Sequence, residues 1–283
     1  MNTPSRPRAT KIICTIGPAT DTSDMLGQLI EAGANVFRLN MSHSKHDWVR
    51  EVVFRIRRKA AELKANVAIL FDLQGPSIRT GDLLEPYHLK KGDTVEIRLG
   101  TAKPELPFST TVNYDGLLQD VQAGHTMVVD NGGILMRIAE VRPDRLICDV
   151  LTEGVFGSRR HINLPGVALR LPALTEKDLA DLAVAVECET DYVAMSFVRD
   201  AAHIAQLREH IDNLGGKAQI VAKIEDQQAV RHIDDIILAA DVIMVARGDL
   251  GIEVSIEELP IIQRRIVRHC HRLGRRCIVA THM

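Results

Sequence analysis

The stretch "IVAKIEDQQAVRHIDDIILAADVIMVARGD", residues 220–249, contains a strand pattern, a helix pattern and a second strand pattern in that order. Residues 220–226 and 242–249 are short apolar runs rich in β-branched side chains, and residues 227–239 between them are expected to be helical. Apolar strands that alternate with helices form a parallel sheet with both faces covered. The stretch therefore predicts an α/β fold.

The same alternation continues along most of the chain. Five further strands are predicted, at 11–17, 36–42, 67–75, 192–198 and 277–283. Helices are predicted at 22–33, 48–64, 174–187, 201–214, 227–239 and 256–273. So many repeats in one chain favour a (β/α)8 TIM-type barrel over an open sheet. The chain stops on the seventh strand, which predicts a barrel truncated at that point and hence a fragment of a longer protein.

The alternation breaks between residues 80 and 165, where short runs are punctuated by Gly, Asp and Pro. Such runs are typical of an all-β region, which predicts a β domain inserted after the third strand. The domains are therefore expected at 1–79 and 166–283 for the barrel and at 80–165 for the insert. Thr175 is the expected N-cap of the helix that follows, with Asp178 three residues later.

The net charge, the apolar runs and the cysteine count exclude several classes of protein. A net charge of −2 gives no general attraction to nucleic acid or to an anionic membrane, and no run of apolar residues is long enough to span a bilayer. The N-terminal residues lack the apolar core of a secretory signal. The five cysteines are widely separated and form no CxxC pair, which argues against a disulfide or zinc framework and favours the reducing cytoplasm.

Polar side chains stand at the carboxyl ends of five of the predicted strands, the end at which barrels build their active sites. These residues are Arg38, Asn40, Ser42, Asp72, Arg79, Lys223, Glu225, Arg247, Asp249 and Thr281. A buried network of structural ion pairs is the alternative explanation for any single pair among them. Their recurrence at the same end of several strands favours a functional site instead.

The residue types in this set indicate a chemistry. Glu225 and Asp249 on neighbouring strands are suited to a hard divalent cation such as Mg²⁺. Lys223 and Arg38 add positive charge, so the expected substrate is an anion with phosphate and carboxylate groups. The small residues of "ARGDLG" (246–251) offer backbone N–H groups to a carboxylate. The sequence thus predicts metal-assisted chemistry on a phosphorylated acid.

From residue 10 to the end, the motifs resemble the pyruvate kinase family in order and spacing. They are "TKIICTIGPAT" (10–20), "FRLNMSH" (37–43), "FDLQGPSIRTG" (71–81), "NLPG" (163–166), "LTEKD" (174–178), "SFVR" (196–199), "AKIED" (222–226), "MVARGDLGIE" (244–253) and "VATHM" (279–283). The resemblance implies phosphoryl transfer from phosphoenolpyruvate to ADP, giving pyruvate and ATP, the last step of glycolysis. It also implies a mobile β lid and a homotetrameric parent protein.

The resemblance further implies a role for each matching residue. Catalysis would fall to Lys223, Arg38 and Thr281, and the substrate would also contact Gly248 and Asp249. Mg²⁺ or Mn²⁺ would be held by Glu225 and Asp249. His43, Arg79 and Arg160 match the family positions that contact the nucleotide. The positions that bind a monovalent cation are matched by Asn40, Ser42, Asp72 and the backbone of Leu73.

The chain departs from the family pattern at several places. Leu73 and Gln74 are typical of members that work without K⁺, and Ser77 replaces the Glu that accompanies a K⁺ requirement, so weak or absent K⁺ dependence is expected. Arg160 replaces a usual Lys. Two other functions stay open: a non-catalytic remnant that binds phosphoenolpyruvate, Mg²⁺ or nucleotide, and another Mg²⁺ barrel that stabilises an enolate, such as an aldolase or lyase.

Overall fold

The computed structural model describes residues 9–280, so the role predicted for Thr281 lies outside the described residues. In chain order the strands are β1 Ile13–Ile16, β2 Val36–Asn40, β3 Ala68–Asp72, β4 Tyr87–Leu89, β5 Thr94–Arg98, β6 Phe108–Thr111, β7 Thr126–Val129, β8 Ile134–Val141, β9 Arg145–Val150, β10 Gly154–Phe156, β11 Ile162–Asn163, β12 Tyr192–Met195, β13 Gln219–Ile224, β14 Val242–Ala246 and β15 Arg276–Ala280. The helices are α1 Ser23–Glu31, α2 His46–Glu62, α3 Leu117–Asp120, α4 Glu176–Glu187, α5 Ala201–Asn213, α6 Gln227–Arg231, α7 Ile233–Ala239, α8 Arg247–Glu253 and α9 Leu259–Arg272.

The chain forms two compact units. The first contains the described residues up to Gly75, Leu174–Ser196 and Ile204–Ala222. The second contains Pro76–Ala173, Phe197–His203 and the described residues from Lys223 onward. The boundary between the units therefore falls inside β13.

Parallel strands form the centre of the first unit. β1 pairs with β2, β2 with β3, β3 with β12, and β12 with residues 219–222 of β13, all in parallel. The register sets Asn40 beside Asp72 and Asp72 beside Ala194, so these strand ends meet at one edge of the sheet. The strands are rich in fully buried apolar side chains, as a sheet covered on both faces requires. This confirms the predicted α/β class.

The start of α4 is fixed by a capping box. Thr175 Oγ1 accepts a hydrogen bond from the Asp178 backbone N–H at 3.1 Å, and Asp178 Oδ2 accepts one from the Thr175 N–H at 2.8 Å. Asp178 is fully buried, and its other oxygen accepts a hydrogen bond from the Gly75 N–H at 3.0 Å. The predicted N-cap at Thr175 is confirmed. The structure adds the hydrogen bond between Asp178 and Gly75, which lies three residues after the end of β3.

Asp178→Ala should lower the free energy of unfolding by about 2 kcal/mol, because two backbone N–H groups lose their acceptor. Urea unfolding of the purified chain measures this change. Glu176→Ala, at an exposed position in the same helical turn, is the matched control and should stay close to the wild type. Equal unfolding midpoints for the two variants would contradict the role given to Asp178.

Two β sheets belong to the second unit and lie between β3 and α4 in the chain. One has six strands in the order β11-β7-β8-β9-β5-β6, and the other pairs β4 with β10. The pairs are antiparallel except for β5 with β6. Val95, Met136 and Phe156 are fully buried in the core of this region. The predicted domain limits at 80 and 165 stay predictions.

The second unit also holds β14 and β15, which pair in parallel from Val242 with Arg276 to Ala246 with Ala280. The strand predicted for 242–249 ends earlier, at Ala246, because residues 247–253 form α8 instead. Asp249 lies in the first turn of α8, where a carboxylate is favoured by the helix dipole. Sequence reasoning missed this helix, which is only seven residues long.

The helix predicted for 227–239 is two helices, α6 and α7, separated at His232. The Nδ1 atom of His232 lies 3.1 Å from the Arg199 carbonyl oxygen. This long-range hydrogen bond accompanies a local backbone conformation, φ −99° and ψ 21°, that departs from the helical region. The interruption thus coincides with a contact to a residue far away in the sequence, which periodicity does not indicate.

Candidate active site

An ion pair lies at the carboxyl end of β13 in the second unit. Lys223 Nζ is 2.9 Å from Glu225 Oε1, and only 12% of the lysine side chain and 1% of the glutamate side chain are exposed. Glu225 Oε2 also accepts a hydrogen bond from the Phe197 backbone N–H at 2.6 Å. The predicted placement of both charges on one side of the strand is therefore confirmed, and the carboxylate is held from two directions.

The environment of Glu225 raises the pKa of its carboxyl to about 7. Burial is the largest cause, and the negative charge of Asp249 acts in the same direction, whereas Lys223 and the Phe197 N–H act against it. Desolvation wins because a fully buried carboxylate loses its hydration. Two carboxylates whose charges interact are stabilised by a shared cation, so Glu225 and Asp249 fit the divalent ion predicted for them.

Asp249 and Gly248 lie in the first turn of α8, where backbone N–H groups have no intrahelical acceptor. Asp249 raises the pKa of His161, but burial of the imidazole is the stronger influence and, with the charge of Arg79, lowers that pKa overall. The ring of His161 packs on Phe197 with centroids 5.8 Å apart. His161 therefore belongs to the same group of side chains, although its sequence position gave no such indication.

Sequence reasoning also missed two carboxylates, Asp226 and Glu253. Burial raises the pKa of Glu253 to about 7, with the charges of Asp226 and Asp249 adding to it and a hydrogen bond from the Asn163 side chain opposing it. Burial likewise raises the pKa of Asp226, whose Oδ1 caps α6 by accepting from the Ala229 N–H at 2.7 Å. The available signal was spacing: Glu253 stands one helical turn after Asp249.

These carboxylates line a cavity of about 300 Å³ within the second unit. Apolar side chains such as Ile78 and Leu169 form part of its wall, and Arg199 brings a guanidinium to it. The acidic residues on the wall are Glu225, Asp226 and Glu253. A partly apolar cavity with a few convergent charged groups has the character of a small-molecule site.

Glu253→Gln is expected to flatten the pH dependence of stability. The Glu253 carboxyl has a pKa of about 7 in the folded chain, against an ordinary value of 4.5. The folded state therefore binds more protons between these values, so this contribution to stability is complete below pH 4.5 and is lost as the pH rises through 7. The slope is about 1.4 kcal/mol per pH unit.

Urea unfolding of the wild type and the variant at several values between about pH 5 and 8 measures the slope. Glu257→Gln, at an exposed position beyond α8, is the control that should keep the wild-type slope. A Glu253→Gln variant with an unchanged slope would show that this carboxyl titrates normally.

Arg38 and Asp72 form an ion pair in the first unit. Arg38 Nε donates to Asp72 Oδ2 at 2.7 Å, and Nη1 donates to Thr15 Oγ1 at 2.9 Å. The Asp72 side chain is only 2% exposed, whereas that of Arg38 is 25% exposed. The three residues come from β1, β2 and β3, and the parallel register brings them together. The guanidinium is therefore held in place while part of it stays open to solvent.

The residues predicted for a monovalent cation follow the ends of β2 and β3. Asn40 Oδ1 accepts a hydrogen bond from the Ser42 N–H at 3.2 Å, and the Leu73 carbonyl accepts one from Ser196 Oγ at 2.8 Å. These bonds fix oxygen-bearing groups near Asp72. The backbone carbonyl of Asp72 in turn accepts a hydrogen bond from the Met41 N–H. His43, predicted for the nucleotide, is exposed.

Arg79 and Arg160 lie on adjacent backbone segments of the second unit. Arg79 pairs with His161 in an isolated antiparallel bridge, and the Thr80 N–H donates to the Arg160 carbonyl at 2.9 Å. Arg79 Nη1 donates to the Arg159 carbonyl at 3.1 Å, and Arg160 Nη1 donates to Asp130 Oδ1 at 3.2 Å. The structure thus brings the two predicted nucleotide contacts from this unit together.

The structure assembles the predicted residues in separate groups inside each unit. Lys223, Glu225 and Asp249 form one group, and Arg38 with Asp72 forms another. Within residues 9–280, no three His, Cys, Asp or Glu side chains are arranged to hold a metal ion by themselves. A divalent ion at Glu225 and Asp249 would therefore need further ligands, such as water or substrate oxygens.

The chain is similar to known proteins over nearly its whole length. A family model described as "Pyruvate kinase, barrel domain" matches residues 7–283. Plastidial pyruvate kinase 2 of Arabidopsis thaliana is 40% identical over 283 residues, which cover 99% of this chain and 48% of that protein. The pyruvate kinase of Clostridium perfringens (strain 13 / Type A) is 39% identical and covers 97% of this chain and 58% of its own length. That of Geobacillus stearothermophilus is 40% identical, with 98% and 48% covered. The chain thus spans about half the length of these relatives.

Proposed function

The chain belongs to the pyruvate kinase family, and from that premise we propose that the protein transfers a phosphoryl group from phosphoenolpyruvate to ADP, giving pyruvate and ATP. The grouping of Lys223, Glu225 and Asp249 in one place is the observation that carries the proposal. The Lys223 ammonium lies beside the buried Glu225 carboxylate, and the negative charge of Asp249 disfavours the ionised form of that carboxylate. This combination of charges is suited to a divalent ion and an anionic substrate. A (β/α)8 barrel with a β lid inserted at 80–165 is the corresponding proposal for the fold.

The residues around β13 and α8 have distinct proposed roles. Lys223 stabilises the transferring phosphoryl group and the enolate oxygen, since its ammonium carries charge at a site that largely excludes water. Glu225 and Asp249 hold Mg²⁺ or Mn²⁺, which supplies Lewis-acid stabilisation of negative charge when bound. The backbone N–H groups of Gly248 and Asp249 receive the substrate carboxylate.

Three further contacts complete the proposal for the substrates. Arg38 binds the phosphoryl group, because its guanidinium is oriented by Asp72 and Thr15 and partly exposed. Thr281 is assigned to the protonation of the enolate carbon, a role that rests on the family resemblance alone. The nucleotide is bound by His43, Arg79 and Arg160, and the β insert closes as a lid that excludes water.

A coupled assay that follows pyruvate formed from phosphoenolpyruvate and ADP tests this function directly. Turnover by the purified 283-residue chain would eliminate the non-catalytic remnant, whereas Mn²⁺ and nucleotide binding without turnover would establish it. Failure of ADP to bind would favour the aldolase or lyase alternative, which has no use for Arg79 and Arg160. Glu225→Gln should lose Mn²⁺ binding, whereas Glu257→Gln should retain it.

Turnover is expected to depend weakly on K⁺ or not at all. Leu73 and Gln74 are typical of family members that work without K⁺, and Ser77 stands where a Glu accompanies the requirement, although the K⁺-independent members usually carry Lys at this position. The Asp72 carboxylate is paired with a guanidinium, so it has a cation partner without K⁺. Assays with KCl and with tetramethylammonium chloride at equal ionic strength should give equal rates. A Ser77→Glu variant is the comparison that should gain sensitivity, and an absolute K⁺ requirement in the wild type would refute the prediction.

The remaining proposals concern surroundings and assembly. Among residues 9–280, none of the helices has both the length and the apolar character needed to cross a membrane. We propose a cytoplasmic location, no nucleic-acid partner and assembly as a homotetramer. Size-exclusion chromatography with light scattering tests the last of these.

A further inference from the structure

The first turns of α4 contact the segment that joins β2 to α2. Lys177 Nζ donates a hydrogen bond to the Met41 carbonyl oxygen at 2.8 Å and a second one to Asp181 Oδ2 at 2.6 Å. Lys177 and Asp181 are four residues apart on α4, so both side chains project from one face of the helix. Because Met41 is the first residue after β2, α4 holds the backbone at the point where this strand ends.

The same carboxylate holds the other end of the connection. His46 is the first residue of α2, and its Nε2 donates a hydrogen bond to Asp181 Oδ1 at 2.7 Å. The Asp181 side chain is fully buried, so Lys177 and His46 supply the hydrogen bonds that water would otherwise give to its two oxygens. Residues 41–46, which we call the β2–α2 segment, are therefore attached to α4 at both ends.

The β2–α2 segment carries two of the predicted ligand contacts, Ser42 and His43. The Ser42 N–H donates to Asn40 Oδ1 at 3.2 Å, and Ser44 Oγ donates to the Asn40 carbonyl at 2.8 Å. These bonds tie the backbone of the segment to the end of β2, whereas the side chain of His43 is exposed. An exposed ring on an anchored backbone can bind a ligand with little loss of chain entropy.

We propose that Lys177 and Asp181 are positioning residues, which fix the β2–α2 segment and thereby orient His43 toward the nucleotide. This inference rests on the proposed function, since it takes ADP as the ligand of His43. Lys177 acts through the Met41 carbonyl, and Asp181 acts through Lys177 and His46, so neither residue needs to touch a substrate. Their loss should affect the nucleotide and spare phosphoenolpyruvate.

The expected selectivity follows from where the contacts proposed for phosphoenolpyruvate lie. Lys223, Gly248 and Asp249 belong to the second unit, whereas α4 and the β2–α2 segment belong to the first. Arg38 belongs to the first unit, but Asp72 and Thr15 hold its guanidinium. A displaced β2–α2 segment should therefore leave these groups in place.

A second ion pair between α2 and α4 offers a matched control. Arg50 donates to Glu187 through Nε at 2.9 Å and through Nη2 at 2.7 Å, and it lies one turn beyond His46 on α2. Arg50→Gln therefore weakens the contact between the same two helices while the bonds to Met41 and His46 remain. The comparison separates positioning of the segment from general packing of the helices.

Calorimetric titration of the purified 283-residue chain with ADP and Mg²⁺ tests the proposal. Lys177→Met should weaken ADP binding by about tenfold, because a misplaced ring loses a hydrogen bond to a charged phosphate. The affinity for phosphoenolpyruvate should be unchanged, and Arg50→Gln should bind both ligands as the wild type does. Lys177→Arg keeps a charged donor and should recover part of the ADP affinity.

Folding of the variants is checked by urea unfolding. The Lys177 side chain is 42% exposed, so its replacement by methionine should leave the chain folded. Asp181→Asn keeps the shape of the side chain but removes its charge, and it should also weaken ADP binding. Loss of ADP and phosphoenolpyruvate binding to the same extent in Lys177→Met would assign Lys177 a general structural role and overturn the proposal.

Hydrogen exchange of residues 41–46 without ligand tests the attachment to α4 separately from the function. Exchange should be faster in Lys177→Met and unchanged in Arg50→Gln. Wild-type exchange in Lys177→Met would overturn the proposal even if the wild type binds ADP. Faster exchange in this variant, together with a wild type that binds no ADP, would instead overturn the proposed function and with it the orientation of His43 toward a nucleotide.

Discussion

Lys223→Gln should lower the turnover of phosphoenolpyruvate and ADP by about 10²- to 10³-fold, mainly through kcat, because the ammonium is proposed to stabilise charge that develops in the transition state. In the structure this ammonium is 2.9 Å from Glu225 and 12% exposed, so water cannot replace it fully. The coupled pyruvate assay at saturating substrate measures kcat, and the same assay at low phosphoenolpyruvate measures kcat/KM.

Two variants control this prediction. Lys217→Gln removes an exposed lysine just before β13 and should leave turnover unchanged. Lys223→Arg keeps the positive charge but replaces a compact ammonium by a planar guanidinium, so it should recover only part of the activity. A Lys223→Gln variant whose KM rises while kcat is unaffected would assign Lys223 to substrate binding rather than to the chemical step.

The local part of this site could be predicted from the sequence. Residues two apart on a strand lie on the same side of it, so the spacing of Lys223 and Glu225 indicated that the two charges lie together, and the structure sets them 2.9 Å apart. The pairing of Arg38 with Asp72 was not predicted, although the parallel register of β2 and β3 sets the ends of the two strands side by side. In both cases regular secondary structure determines the distance.

Other parts of the site depend on long-range contacts that sequence spacing does not encode. The raised pKa of Glu253 requires burial together with the charges of Asp249 on the same helix and of Asp226 at the start of α6, and spacing along the chain could indicate only the first of these charges. The packing of His161 on Phe197 joins residues far apart in the chain. Burial and proximity of this kind arise only after the elements have packed, so a single sequence could not reveal them.

The helices and strands show the same difference between features that local sequence determines and features that depend on long-range contacts. The predicted parallel strands are found within a few residues of their expected limits, because an apolar β-branched run identifies a buried strand, and the expected end of the seventh, at residue 283, lies outside the described residues. The errors are at α8 and at His232, where a short helix follows a strand directly and a side chain bonds a distant carbonyl. Both occur beside the candidate site, where local preference and tertiary contacts compete.

Phe156→Ala should lower the free energy of unfolding of the second unit by about 3 to 5 kcal/mol, since it removes a large, fully buried side chain from a packed core. The Phe156 ring stacks on Tyr87 with centroids 6.3 Å apart, and Tyr87 in turn contacts Phe108 at 5.3 Å. Aromatic residues are only 4% of the chain, so aliphatic neighbours must fill any gap that Phe156 leaves. Urea unfolding followed by circular dichroism measures the loss.

Hydrogen exchange locates the effect, because Phe156 lies on β10 within the second unit. Amides of β4 to β11 should exchange faster in Phe156→Ala, whereas amides of β1 to β3 should keep their protection if the first unit unfolds independently. Phe54→Ala, in which 65% of the replaced side chain is exposed, is the matched control and should cost less than about 1 kcal/mol. Phe156→Leu should be intermediate because it retains much of the volume. Equal losses for Phe156→Ala and Phe54→Ala would mean that the aromatic cluster contributes no more to stability than an exposed ring.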